Sequence, residues 1–222
     1  MSSTAIGIVL GVLVGLRHSF EPDHLTAVST LVGETRGLRG GALLGALWGI
    51  GHTLSLVAVG VILMLIGASL PERAGVIFEL GVAAMLLVLG VRSIVVAIRA
   101  AAMLHHLRAG ADHGDAHDPR GPIRARAWRP FAVGTVHGLA GSGALTAIVF
   151  ADLPGTGARL LYMTLFGLGS IAGMALASGA AGATLRVVAR SGGTRRGLGL
   201  ATGVLSIAVG VIWAIPLWAR LG

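Results

Sequence analysis

The sequence predicts an all-α integral membrane protein. Six transmembrane helices are expected, arranged as a 3+3 inverted-topology repeat, with the first helix broken near Pro22. Three observations carry this expectation. The 222 residues are 55% apolar and only 12% charged, against about 25% charged in soluble domains. Mean hydropathy is +0.86. A globule in water could not cover itself with so few charges, and disorder needs the opposite composition. Six apolar runs are long enough to cross a bilayer, and the two halves carry matching motifs at near-constant spacing. Cysteine is absent, which excludes disulfide scaffolds, thiolate metal sites and cysteine nucleophiles.

The apolar runs cover about 4–32, 40–69, 76–98, 130–151, 160–186 and 197–219, where a spanning helix needs roughly 20 residues. They are too long and too evenly apolar for barrel strands, which leaves helices. Small residues recur at every fourth position in Gly7/Gly11/Gly15, Gly41/Gly45/Gly49, Gly169/Gly173 and Gly199/Gly203. That spacing lets helix backbones approach closely. The N-terminus, MSSTAIGIVL, has no positively charged leading region, so no cleaved signal peptide is expected.

Every basic residue is arginine, and the formal net charge is +8. Most arginines sit in short loops between apolar runs and form no basic face for a duplex, so no nucleic-acid partner is expected. The loops after spans 1, 3 and 5 hold twelve of them, including Arg36, Arg39, Arg99, Arg190 and Arg195. The other side holds three, Arg73, Arg159 and Arg220. The positive-inside rule then puts the arginine-rich loops in the cytoplasm and both termini outside a bacterial cell membrane.

Span 1 reads V-G-L-R-H-S-F-E-P-D-H-L-T-A-V from Val14. Span 4 reads V-G-T-V-H-G-L-A-G-S-G-A-L-T-A-I from Val133. Both contain V-G-x-x-H followed by L-T-A. Leu47-Trp48-Gly49 pairs with Leu165-Phe166-Gly167, and Leu89-Gly90-Val91 with Val209-Gly210-Val211. The three offsets are 119, 118 and 120 residues. Each half then has three spans, an odd number, so the second half sits upside down relative to the first, an arrangement used by transporters. The expected organisation is a first three-helix repeat over 1–104, a His/Asp/Arg-rich cytoplasmic loop over 105–127 and a second repeat over 128–222.

Span 1 carries Arg17, His18, Glu21, Asp23 and His24 at membrane depth. Each ionisable group there costs roughly 2.5–3.5 kcal/mol on the insertion scale, so the cluster needs a function or tight internal pairing. On an unbroken helix, Asp23 and His24 would lie about 140° and about 240° around the axis from His18. Pro22 removes an N–H and clashes with the preceding turn. A break there makes Pro22 the first residue of a new segment, with Asp23 in its first turn, and can swing His18 toward Asp23 and His24. The plainer alternative is a proline kink with Arg17 and Glu21 paired across one turn. His52 in span 2 and His137 in span 4 extend the set, and His18 and His137 occupy matching repeat positions. A converging set of His18, Asp23, His24, His52 and His137 is a metal site of nitrogen and oxygen character, suited to Ni²⁺, Co²⁺ or Zn²⁺. Neutral imidazole is needed for binding, so acidification is expected to weaken it. The remaining histidines, His105, His106, His113 and His117, alternate with Asp112, Asp115 and Asp118 in the loop. This tract is either a solvated linker or a weak metal-gathering segment.

The H-x-x-x-x-D-H pattern of His18, Asp23 and His24, preceded by Arg17, resembles the first signature of the nickel/cobalt transporter (NiCoT) family. Gly51-His52-Thr53 looks like its second. The short chain with six spans is most similar to the urease-associated UreH-type branch. Glu21-Pro22 replaces the common Asp-Ala, and V-H-G-L-A-G-S-G stands where larger members carry an acidic motif. The resemblance implies movement of Ni²⁺ or Co²⁺ as transported ion across the cytoplasmic membrane, with no prosthetic group. It also implies a link to urease or hydrogenase maturation proteins.

No nucleotide-binding G-x-x-x-x-G-K-[ST] loop is present, so the expected protein is a secondary permease and not an enzyme. Metal export, a non-transporting accessory role in metalloenzyme maturation, an intramembrane haem protein and a proton-coupled solute exporter are the other readings of the same residues.

Overall fold

In the computed structural model of the protein, residues 3–33, 37–108, 128–140, 153, 155–189 and 192–220 are described. Among them the only regular elements are helices: α1 Ser3–His18, α2 Pro22–Val32, α3 Gly37–Ile66, α4 Glu72–Arg108, α5 at residues 128–140, α6 Thr156–Val188 and α7 Gly192–Ala219. Four of these contain stretches long and apolar enough to cross a membrane: Gly37–Ile66, Glu72–Ala100, Thr156–Val188 and Gly193–Ala219. Many large apolar side chains point outward, among them Leu65, Ile66, Leu176, Ile212 and Trp218. An outer surface of this kind matches lipid and not water. The chain is an all-α membrane protein.

The first apolar run is two helices. α1 closes with tight bonds, Phe20 N–H to Arg17 O and Glu21 N–H to His18 O, both 3.0 Å, the i→i+3 pattern that narrows a last turn. Glu21 is extended, with φ −64° and ψ 150°, as the residue before a proline prefers. α2 then starts with Pro22, whose missing N–H costs nothing in the first turn, and with the acidic Asp23 at the positive end of the helix. The break at residues 19–21 takes Arg17 and Glu21 off the one-turn register on which their pairing depends. Arg17 is exposed, and Glu21 bonds to His18 instead.

At its C-terminus α3 stops in a glycine cap. Gly67 has φ 64°, and the bonds Ala68 N–H to Leu63 O (3.1 Å) and Gly67 N–H to Met64 O (3.3 Å) satisfy two terminal carbonyls. α4 is longer than its apolar run. Span 3 is expected over 76–98, yet the helix continues to Arg108, because apart from His105 and His106 residues 99–108 are the strong helix formers Ala, Met, Leu and Arg. Hydropathy marks only the part inside the bilayer. His105 and His106 are therefore on α4, while His113, His117, Asp112, Asp115 and Asp118 lie outside the described residues. So do residues 141–150, which hold half of the second motif copy, together with Arg36, Arg190 and both chain ends.

α3 packs along α6, α4 along α7 and α1 along α6, while the short α2 is inserted between α3, α4, α6 and α7. Its buried face supplies Ala27, Val28, Leu31 and Val32 to a core completed by Trp48, Leu86 and Met174. The contacts recur at the spacing of the sequence motifs. A Cβ on Gly15 would collide with the Phe166 backbone, and one on Gly134 with the Trp48 backbone. A Cβ on Gly90 would lie 2.7 Å from Gly203 O, and one on Gly210 would lie 2.9 Å from Ala83 O. In each case one partner moves forward and the other back by 118 to 120 residues between the first contact and the second. Such approaches are open only to glycine, and they let helices meet backbone to backbone. Side-chain hydroxyls add interhelical bonds, with Ser206 Oγ donating to Leu86 O (2.7 Å) and Ser93 Oγ to Gly199 O (2.9 Å).

Candidate metal centre

The break between α1 and α2 sets the geometry. His18 is the last residue of α1, and Asp23 and His24 are in the first turn of α2. His52 comes from the middle of α3, and His137 comes from α5. The structure brings all five sequence-predicted residues into one cluster. Ring centroids are 4.6 Å apart for His18 and His24, 5.4 Å for His24 and His52, 5.3 Å for His18 and His52, and 4.1 Å for His24 and His137. Asp23, His24, His52 and His137 are each at most 6% exposed.

A buried carboxylate without partners would be very costly. Asp23 has two. His24 Nδ1 donates to its Oδ1 at 3.1 Å, and His137 Nε2 donates to its Oδ2 at 2.5 Å. At the rim, His18 Nδ1 donates to half-exposed Glu21 at 3.0 Å. Each of these rings thus gives one nitrogen to a carboxylate, the arrangement that orients metal-binding imidazoles and fixes their tautomer. The opposite nitrogens, His18 Nε2, His24 Nε2 and His137 Nδ1, are buried without a hydrogen-bond partner, as are both nitrogens of His52. Unpartnered buried polar atoms of this number in one place are uncommon in a folded protein and call for an explanation.

In each of two groups, His18, His24 and His52, and Asp23, His24 and His137, the potential ligand atoms all lie within 4.8 Å of one another. The donors are imidazole nitrogen and carboxylate oxygen, a set matched to divalent first-row metals. With its imidazoles neutral, the inner cluster carries only the Asp23 charge, which a divalent cation more than neutralises.

Two residues of this environment were not singled out from sequence. Trp48 stacks on His24, with centroids 5.4 Å apart and planes at 29°, and it also meets the His137 ring at 5.8 Å. Its spacing of four residues before His52 places both on one helix face, and that spacing was the available signal. Phe166, on α6, packs 5.2 Å from His18.

The fold and this centre define a helical membrane protein with a buried histidine–carboxylate cluster at a helix break. Among known proteins, the chain is 31% identical over 172 residues to the urease accessory protein UreH of Bacillus sp. (strain TB-90), covering 75% of this chain and 72% of that protein. No family model and no solved structure matches the chain. The chain belongs to the UreH-type branch of the nickel/cobalt transporter family.

Proposed function

We propose that the protein is a secondary transporter of divalent transition-metal cations, Ni²⁺ or Co²⁺, that brings them into the cell across the cytoplasmic membrane. The observation that carries this reading is the convergence, at a break inside the first apolar run, of buried ring nitrogens with no hydrogen-bond partner around one buried carboxylate. His18, Asp23, His24, His52 and His137 are the proposed ligand set.

The proposed scaffold is a six-span, 3+3 inverted-topology repeat. α1 with α2, α3 and α4 form the first half, and the segment starting with α5, together with α6 and α7, forms the second. The recurrence of the Gly15–Phe166 contact as Gly134–Trp48, and of Gly90–Gly203 as Gly210–Ala83, supports it. Such a fold places the cation where the halves meet and lets one half rock against the other. The arginine bias supports an orientation with both termini outside and residues 105–127 in the cytoplasm.

Inward movement of a doubly charged ion gains about 4.6 kcal/mol per 100 mV of membrane potential, enough for roughly 2,000-fold accumulation. Uptake therefore needs no coupled ion and no ATPase. The relative's description as a urease accessory protein supports a role in supplying nickel to metalloenzyme maturation. It also favours one second reading, a membrane accessory protein that binds metal without moving it.

Radiolabelled Ni²⁺ and Co²⁺ flux into proteoliposomes at an imposed potential separates the two. A permease accumulates the ion with the wild-type chain and not with Asp23→Asn. Binding without accumulation would leave the accessory role.

A further inference from the structure

We infer that the cluster offers the cation two alternative positions on either side of a single imidazole, that of His24: an all-histidine position with His18 and His52, and a carboxylate position with Asp23 and His137. This rests on the reading of the protein as a metal permease.

His24 is the one residue common to the two close groups. Its ring lies 4.6 Å from His18 and 4.1 Å from His137, in contact with both. One of its nitrogens, Nδ1, is bonded to Asp23, on the side of the carboxylate position. The other, Nε2, is buried with no hydrogen-bond partner, and so are His18 Nε2 and both nitrogens of His52. The Nδ1 and Nε2 directions of an imidazole diverge widely, and a neutral ring has a lone pair on only one of them at a time, so one ion cannot use both. A ring with potential ligands on both sides serves two positions in turn. With the ion on Nε2, the ring proton is on Nδ1 and donated to Asp23; with the ion on Nδ1, the proton is on Nε2.

The internal repeat accounts for the pair. His18 and His137 occupy the same place in the two halves, one turn after the equivalent close-packed glycines Gly15 and Gly134. Each position thus depends on a histidine from a different half. The two are unequal in ligands. The counterpart of His52 is Ser170, a buried hydroxyl engaged with the carbonyls of Gly15 (3.2 Å) and Phe166 (2.9 Å). The second half supplies no third imidazole there, and Asp23 takes that role. A divalent cation meets three neutral donors in one position and a charged one in the other.

The test is equilibrium binding of ⁶³Ni²⁺ to the purified full chain, with His18→Ala, His137→Ala and His24→Ala beside the wild type, and with the matching His→Gln variants as a control on folding. Each end variant leaves one position complete. His18→Ala and His137→Ala are expected to bind one ion per chain with affinity within about tenfold of wild type, while His24→Ala loses more than about 100-fold. Nickel K-edge absorption should then find an imidazole-only protein shell in His137→Ala and a carboxylate oxygen in His18→Ala. Flux should fall more than about tenfold in both, because the ion can no longer pass on. Loss of binding in His18→Ala and His137→Ala as complete as in His24→Ala would mean a single shared position and overturn this inference, leaving the permease reading intact. A wild-type protein that binds no nickel would overturn both.

Discussion

Asp23 on α2 accepts a hydrogen bond from His137 on α5, across 114 residues of sequence. The same carboxylate accepts one from its neighbour His24. One side chain thus ties the helix break between α1 and α2 to α5. Its replacement has to be read in both metal affinity and structure. Asp23→Asn keeps the shape and one acceptor oxygen but removes the charge. It is expected to stay folded in detergent and to reduce nickel flux more than about 100-fold, while the all-histidine position still binds nickel within about tenfold of wild type. Unchanged flux in proteoliposomes would rule out Asp23 as a ligand or as an orienting partner.

Pro22 shapes the site through the backbone. Alanine in its place restores an N–H and removes the ring clash, so a bond from residue 22 to His18 O becomes available and α1 can run on toward α2. Straightening turns Asp23 and His24 away from His18. Pro22→Ala is expected to express and fold, and to bind nickel about tenfold more weakly. Spin labels on α1 and α2 should report a longer and more uniform separation in the variant. Wild-type affinity together with wild-type label distances would show that packing of α2, and not the proline, maintains the break.

The close glycines test the packing independently of any metal. Gly15→Val and Gly134→Val both drive a side chain into backbone, and the repeat predicts similar losses at the two positions. Each should lower the unfolding temperature in detergent, in line with an overpacking cost of about 1–3 kcal/mol or more. Gly157 and Gly197 have open space where a Cβ would stand, so Gly157→Ala and Gly197→Ala should leave the unfolding temperature within a degree or so of wild type. A large loss at Gly15 with none at Gly134 would break the equivalence of the two halves.

Trp48 offers an optical probe. It stacks on His24, so an open-shell ion bound there lies within quenching range. In a chain with Trp128, Trp213 and Trp218 changed to Phe, saturating Ni²⁺ or Co²⁺ should quench most of the remaining emission. His24→Ala should abolish the effect. Quenching that survives His24→Ala would place the ion elsewhere.

Much of this centre could be read before any coordinates. Pro22 followed by an acidic residue has the grammar of a helix start, and the helix does start there. Ionisable residues inside an apolar run are costly enough to demand partners, which picked out His18, Asp23 and His24. The partnering itself was not legible. Nothing local says that Glu21 bonds to His18 and not to Arg17, or that Asp23 reaches His137. Both depend on how the break redirects α2 and on which helices surround it. Trp48 reads in the sequence only as a repeat position, because an aromatic in an apolar helix is ordinary. Its role comes from the one-turn spacing to His52 and from the ring of His24 beneath it. The end of α4 was misjudged for another reason. Hydropathy reports where lipid ends, whereas the helix goes on as long as its residues favour one.

The most direct test of the central claim is anomalous X-ray diffraction from crystals of the protein grown with Ni²⁺. The account predicts a nickel peak within coordination distance of a ring nitrogen of His24, inside the cluster formed by α1, α2, α3 and α5. Nickel found only at surface histidines, with the His24 cluster free of anomalous signal, would contradict it.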